Sequence, residues 1–443
     1  MFTGSSWQID KLQQLKQQLN STKSKLNNIA LMEWQYHTRK RNKAGDVAWR
    51  LRKEIDPEFL TQAWTKFYEN VSTFALVPEK SLEEKILNSI HLCEAPGAFI
   101  TSLNHYLKSN APEIVWKWMA TTLNPHYEGN TLATMVNDDR FILHTDDHWF
   151  FGSDCTGNIM KLNTLDEVIQ RAQTMGDIML VTADGSINCT HMPDEQEAIV
   201  VHLHYCETIA ALHILSPGGS FLLKIFTIFE QQTICLMYLL TCCFNKIILN
   251  KPVTSKEGNS EIYVVCLEFK GEKYVKPHLE IFRKYYEEET NIPIFLKEDI
   301  PDCFINQIIL AGDFFREHQC CVIESNIETF HNTNEDYEIK KIRRAVADHF
   351  IETYQLRKLE DGMEIVGKKQ MEMSTCQVIG SKYAGESYNE RKKRQDIDRR
   401  AQLQLIIEDI GQIDLKEDFA QFKVRNSTIH LQLQETRFII SFE

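Results

Sequence analysis

The chain has 443 residues, 43% of them hydrophobic, which is enough for one large domain or two to three average ones with a substantial core. A formal charge of −13 argues against an indiscriminate nucleic-acid binder. No apolar run approaches the roughly 20 residues that span a bilayer and the first residues lack an apolar signal core, so nucleus and cytoplasm are the expected compartments and no membrane is expected. Twelve scattered cysteines without a Cys-x-x-Cys pair indicate neither a zinc site nor a disulfide framework.

The charge is uneven. Up to Lys66 there are 12 Lys/Arg against 6 Asp/Glu, which leaves −19 for the remainder. Leucines at Leu12, Leu15, Leu19 and Leu26, closed by Ile29, recur at three- and four-residue steps and predict an amphipathic helix over Gln8–Ile29. The densest basic stretch, Arg39–Lys53 (RKRNKAGDVAWRLRK), carries Trp49 among its cations and follows Trp34 and Tyr36. It reads either as a solvated helix face or as an arm that tracks phosphates and stacks bases. Pro57–Phe74 has Pro and Glu where a first helical turn wants them.

The texture then changes. SIHLCEAPG, VWKWMATTL, RFILHTDD, DIMLVTADGS, SFLLKIF, NKIILNK and EIYVVCLEF are strand-like runs, separated by helical segments such as Asp194–Leu215 and Glu230–Cys243. Such alternation predicts an α/β fold with a mostly parallel, doubly wound sheet. Ligands sit beyond the carboxyl ends of such strands, here Glu94-Ala95-Pro96-Gly97, Asn124, Asp146-Asp147 and Ala183-Asp184-Gly185. After Asn332 the chain becomes charged and helical. Gly380–Arg400 reads as an exposed linker ending in a basic helix, with RKKR at Arg391–Arg394 as a nuclear signal or a solvated face. STIHLQLQ and RFIISFE alternate as strands and would begin a further domain. The expected division is 1–56, a basic helical region; 57–330, the α/β domain; and 331–443, a helical linker with the start of a C-terminal region.

Four places carry chemistry. HLCEAPGAF follows a strand and opens a helix, with Gly97 as its one glycine, so it is a ligand turn without the glycine fingerprint of a nicotinamide site. VTADGS ends a strand with Asp184. SFLLKIF puts Lys224 inside an apolar strand, where an unpaired ammonium is costly; taken alone it also reads as a snorkelling or edge-strand lysine. Glu261 opens the strand in GNSEIYVVC, and Lys66, on the helix before the first strand, is a possible second cation. His202 and His204 lie two apart on a helix and read as packing or surface residues, and no cluster suggests a metal.

These runs in this order, preceded by TQAWTKFYE, resemble the FtsJ-type ribose 2′-O-methyltransferases. TQAWTKFYE, HLCEAPGAFI and WKWMATTLNPHYEGN resemble the branch of that family that acts on capped mRNA. The resemblance runs from about Leu12 to Lys270. It implies a Rossmann-like S-adenosylmethionine-dependent methyltransferase with a mostly parallel seven-stranded sheet and a helical N-terminal extension. It implies methyl transfer to the ribose 2′-hydroxyl of the second transcribed nucleotide at a capped mRNA 5′ end. It also implies a Lys-Asp-Lys-Glu catalytic set of Lys66, Asp184, Lys224 and Glu261, with Lys224 as the base or the group orienting the hydroxyl. Cofactor contacts would come from Gly97 with its turn residues Ala95 and Pro96, from Trp116 and from Asp184, with Asp146 added from the map of strand ends. Glu261 is preferred to Glu257 because Ser260-Glu261 matches the family's Ser-Glu. Members of the family carry a second, non-catalytic methyltransferase-like domain, for all of which this chain is too short; a fragment or a shortened form is expected.

The chemistry has its own logic. A ribose hydroxyl is a weak acid and a poor nucleophile, so catalysis must orient it and remove its proton. Lys66 would depress the Lys224 pKa while Asp184 would raise it. A tRNA or rRNA ribose methyltransferase, and a methyltransferase-like RNA-binding module without activity, remain alternatives.

Overall fold

The computed structural model describes residues 1–189, 192–330, 336–378 and 437–440. Five helices precede the sheet: α1 Asp10–Ser24, α2 Leu31–Arg41, α3 Val47–Glu54, α4 Gln62–Thr73 and α5 Glu79–Glu84. The alternation follows with β1 Ile86–Leu92, α6 Ala98–Asn110, β2 Val115–Thr121, α7 Arg140–His144, β3 Trp149–Phe150, α8 Leu162–Met175, β4 Ile178–Ala183, α9 Gln196–Ile214, β5 Leu215–Ile225, α10 Gln231–Cys243, β6 Phe244–Asn250 and β7 Ile262–Phe269. Helices α11 Glu272–Lys284, α12 Asp302–Glu328, α13 Asp336–Thr353 and α14 Lys368–Met373 come next, and Arg437–Ile440 forms β8.

The strand order is β3-β2-β1-β4-β5-β7-β6-β8. The five strands from β3 to β5 are parallel, while β7 lies antiparallel between β5 and β6. Strand order reverses at β1, which pairs with β2 on one side and β4 on the other, so the switch point lies where β1 ends at Leu92. All six residues of β4 are buried, as both faces of a parallel sheet must be. One face is covered by α8 to α12 and by α1, whose Leu12, Leu15 and Leu19 are buried as the leucine spacing predicts. Phe67 and Val71 of α4 and Phe99 and Leu103 of α6 pack on the other.

The antiparallel β7 matters for the site. Its register pairs Ile262 with Ile225, so the residue just before β7, Glu261, arrives beside the carboxyl end of β5.

Three expectations change. RFILHTDD is not a strand: Arg140–His144 is helical and Asp146–His148 a 3-10 turn. The third strand is an edge of two residues that pairs only with Ala120 and Thr121, so the run before it has no ladder to join, and it coils to bury Phe141 and Ile142 instead. Helix α4 begins at Gln62 rather than Pro57, because Asp56 and Phe59 adopt positive φ and Thr61 caps the helix by accepting from the Trp64 amide at 3.3 Å. Glu58 is not a first-turn residue; its carboxylate accepts the Ile365, Val366 and Gly367 amides. The RKKR run and STIHLQLQ lie outside the described residues, and of RFIISFE only Arg437–Ile440 is described, paired antiparallel to β6. No described helix is long and apolar enough to cross a membrane.

Candidate active site

Lys224 sits near the end of β5 with its side chain 9% exposed. Its Nζ donates to the Asp184 carbonyl oxygen at 2.6 Å and lies 3.2 Å from the Asp184 Oδ1, which also accepts from the Tyr263 hydroxyl at 3.1 Å. Burial is the largest influence on the ammonium and pulls its pKa down; the combined attraction of Asp184, Glu261 and Glu207 outweighs it, so Lys224 titrates above its ordinary value. Lys66 is not the counterweight that the sequence suggested, because its own charge faces Glu261, 2.6 Å from Nζ to Oε1 with both side chains 12% exposed.

Glu261 is held from several sides. Ser255 Oγ donates to its Oε1 at 2.9 Å, and Lys251 Nζ donates to its carbonyl oxygen at 2.9 Å. Burial pushes the Glu261 carboxyl up, but Lys66, Lys224 and Lys251 together bring it below the ordinary range. The loop from β6 to β7 that carries these groups is bound to α4, the helix of Lys66. The Val253 amide donates to both Glu69 oxygens at 3.0 and 2.9 Å, and Asn250 Nδ2 to Asn70 Oδ1 at 2.9 Å. Helix and loop therefore position Lys66 and Glu261 as one unit. Glu257, the rejected alternative, faces Lys43 at 3.8 Å.

Beyond β1 the Cys93–Gly97 turn opens α6. Glu94 Oε1 accepts the Phe99 amide at 2.8 Å, while its buried Oε2 has no hydrogen-bond partner. Burial first, then the neighbouring Asp184, pushes the Glu94 carboxyl well above the usual range. Ala95 and Pro96 are joined by a cis peptide in this turn, and Gly97 adopts φ 111°. A Cβ at Gly97 would lie 2.3 Å from Phe141 Cδ1, so glycine is required both by backbone and by space. The loop after β3 closes the neighbouring side: Asn124 Nδ2 donates to the Cys155 carbonyl at 2.8 Å, and a Cβ on Gly157 would fall 1.8 Å from the Thr122 carbonyl oxygen.

Two expected cofactor residues are corrected by this geometry. Trp116 stands near the entry of β2, five residues before Thr121 and so roughly 16 Å from the ligand end at a strand rise of about 3.3 Å. Its indole donates to Ser89 Oγ at 2.8 Å, which is 2.9 Å from His91 Nε2, whose Nδ1 is 2.8 Å from Thr182 Oγ1. This is a polar chain inside the sheet, and burial holds its imidazole neutral with a pKa lowered to about 3. Asp146 precedes β3 instead of following a strand; it is exposed, and its Oδ1 accepts the Asp147 amide at 3.1 Å. The loop that does follow β3 carries Asp154, whose Oδ1 accepts from the Thr156 amide and hydroxyl. Reading the strand one segment early hid it.

Sequence reasoning also missed Lys251. It is 4% exposed, donates to Asn259 O and Oδ1 at 2.9 and 2.8 Å, and burial with the nearby Lys66 lowers its pKa to about 7 against the pull of Glu261. Its signal was a lysine directly after the buried run IILN and before proline. The basic arm divides. Tyr36 and Trp49 are 63% and 57% exposed, with Lys40 and Lys53 over their rings at 4.6 and 5.3 Å, whereas Arg50 binds Glu54 and Asp348 and ties α3 to α13. Trp34 packs with His37 and Phe330. His204 is buried, and no described group of three or more His, Cys, Asp or Glu is placed to hold a metal.

A family model described as FtsJ-like methyltransferase matches residues 59–269. A protein of Drosophila melanogaster named cap-specific mRNA (nucleoside-2′-O-)-methyltransferase 2 is 40% identical over 97% of this chain and 62% of its own length. Proteins of the same name from Danio rerio and Mus musculus are 43% and 42% identical over 79% and 85% of this chain, and 48% and 50% of theirs. The chain thus spans about half to three fifths of the length of these relatives.

Proposed function

We propose that the chain is an FtsJ-like methyltransferase, the family whose model matches residues 59–269, and that it methylates the ribose 2′-hydroxyl of the second transcribed nucleotide of capped mRNA, using S-adenosylmethionine. One observation carries the reading: Lys66, Asp184, Lys224 and Glu261, from four separate elements, meet at the carboxyl end of the sheet beside the Gly97 turn as two close ion pairs. The cofactor supplies a methyl group already activated on a sulfonium. Glu94, Gly97 and Asp184 would hold it. They suit it because a buried carboxyl oxygen without a partner favours a ligand that brings cations of its own.

The chain's residues then act on the ribose. An ammonium has three donors, and Asp184 takes two of those on Lys224 through its carbonyl and carboxylate oxygens. The third is left to bind the 2′-oxygen and orient it. Because Lys224 titrates high in this structure, orientation of the oxygen is its first role; to take the hydroxyl proton it must first release its own, for which Asp184 is the adjacent acceptor. The Lys66–Glu261 pair holds the opposite wall. The exposed aromatics and cations of α2 and α3 would supply a surface for single-stranded RNA.

The experiment is transfer of labelled methyl from S-adenosylmethionine to short capped RNA, with nuclease mapping of the labelled ribose and structured uncapped RNA in parallel. Label on the second transcribed nucleotide is expected. Label only on structured RNA would replace the substrate, and cofactor binding without any transfer would replace the enzyme by a binding module.

A further inference from the structure

Glu207 lies in the middle of α9, fully buried in an apolar stretch, and has entered so far only as one of the charges that raise Lys224. Its Oε1 accepts the Gly185 amide at 3.0 Å. The carbonyl of that same peptide group belongs to Asp184 and accepts Lys224 Nζ at 2.6 Å. One amide is therefore held between a carboxyl on its N–H and an ammonium on its C=O. The approach depends on glycine: a Cβ at position 185 would lie 2.3 Å from Glu207 Oε1.

We propose that Glu207 is a positioning residue for Lys224, acting through the peptide group between Asp184 and Gly185. A carboxylate on the N–H draws the amide proton and shifts electron density to the carbonyl oxygen, which strengthens the bond that the ammonium makes at the other end. Glu207 thus fixes both where Lys224 stands and how tightly it keeps its proton. The groups facing Glu207 are the Cys93 thiol of the ligand turn, Asp184 beyond β4, Lys224 on β5, Tyr286 after α11 and Cys206 on its own helix. Lys224 is the one cation among them. Burial is the main cause that raises the Glu207 carboxyl to about 8, so its charge switches on as pH rises through that value.

The catalytic consequence rests on the methyl-transfer reading, and the test separates the two. In the full chain with lysines labelled at Cε, the Lys224 resonance, assigned with Lys224→Arg, is titrated in wild type and Glu207→Gln; glutamine keeps an oxygen for the Gly185 amide but carries no charge. The expected result is titration of Lys224 at lower pH in Glu207→Gln. Alongside it, kcat on capped RNA should fall about tenfold, the difference between a charge-assisted and a neutral hydrogen bond, with the cofactor KM unchanged within twofold and the rate inflection near pH 8 lost. An unchanged Lys224 titration overturns the proposal. If wild type methylates no RNA, the methyl-transfer reading fails while the titration still decides the role of Glu207. Should Glu207→Gln not fold, Glu207→Asp withdraws the carboxyl by one methylene and is read in the same way.

Discussion

Glu261→Gln removes one charge from a cluster in which Lys66, Lys224 and Lys251 all act on that carboxylate. At 2.6 Å the Lys66–Glu261 attraction is about 6 kcal/mol if the effective dielectric constant is about 20. Both side chains are 12% exposed, so water replaces little of this attraction when the partner is lost. Loss of one member of a buried pair typically costs about 3–5 kcal/mol, and Glu261→Gln should fall near the lower figure, since Gln still accepts from Ser255. Urea unfolding of the single variants and of Lys66→Met with Glu261→Gln gives the double-mutant cycle. The double variant should be clearly more stable than the sum of the two losses predicts. A loss below about 1 kcal/mol for Glu261→Gln, or strict additivity, would refute the view that this pair organises the wall of the site.

Trp116→Phe should lower stability by about 1 kcal/mol, the worth of one internal hydrogen bond, and leave cofactor affinity as it was; a tenfold loss of affinity by calorimetry would return Trp116 to the cofactor site. Charge reversal at Arg39, Lys40 and Lys53, with the structural Arg50 left intact, should weaken RNA binding and flatten its dependence on salt without touching cofactor binding, and an unchanged salt slope contradicts the arm. Glu207 gives a pH test of stability. Its folded pKa of about 8 exceeds the ordinary 4.5, so its contribution is fully present below pH 4.5 and is lost as pH rises to 8. Between pH 5.5 and 8 the stability of Glu207→Gln relative to wild type should rise by roughly 3 kcal/mol, at about 1.4 kcal/mol per unit, and a difference that does not vary with pH rules this out.

How much of this was legible in the sequence depended on whether a signal was local. The alternation of apolar runs with helices, the small-residue turn at Gly97 and a lysine inside SFLLKIF are local, and they were enough to place Asp184 and Lys224 at the same end of the sheet. Glu261 was harder, since it stands just before its strand; only the antiparallel insertion of β7, which pairs Ile262 with Ile225, brings it there, and apolar patterning carries no strand direction. Trp116 failed because a strand's phase says which face a side chain takes but not how far along the ligand end lies. Asp146 failed because β3 is two residues long, so the apolar run before it imitated the strand. Lys251 and Glu207 take their meaning from partners across the fold. A glutamate within HLHYCETIAALHIL and a lysine after IILN announce that burial must be compensated, but not by what.

Wild type and Lys224→Ala should be compared for methyl transfer to capped RNA and, separately, for cofactor binding by calorimetry. Transfer to the second-nucleotide ribose should fall by at least about a thousandfold, as loss of an orienting and proton-handling group should produce, while cofactor binding persists within a few-fold. Transfer that survives Lys224→Ala at near the wild-type rate would contradict that role.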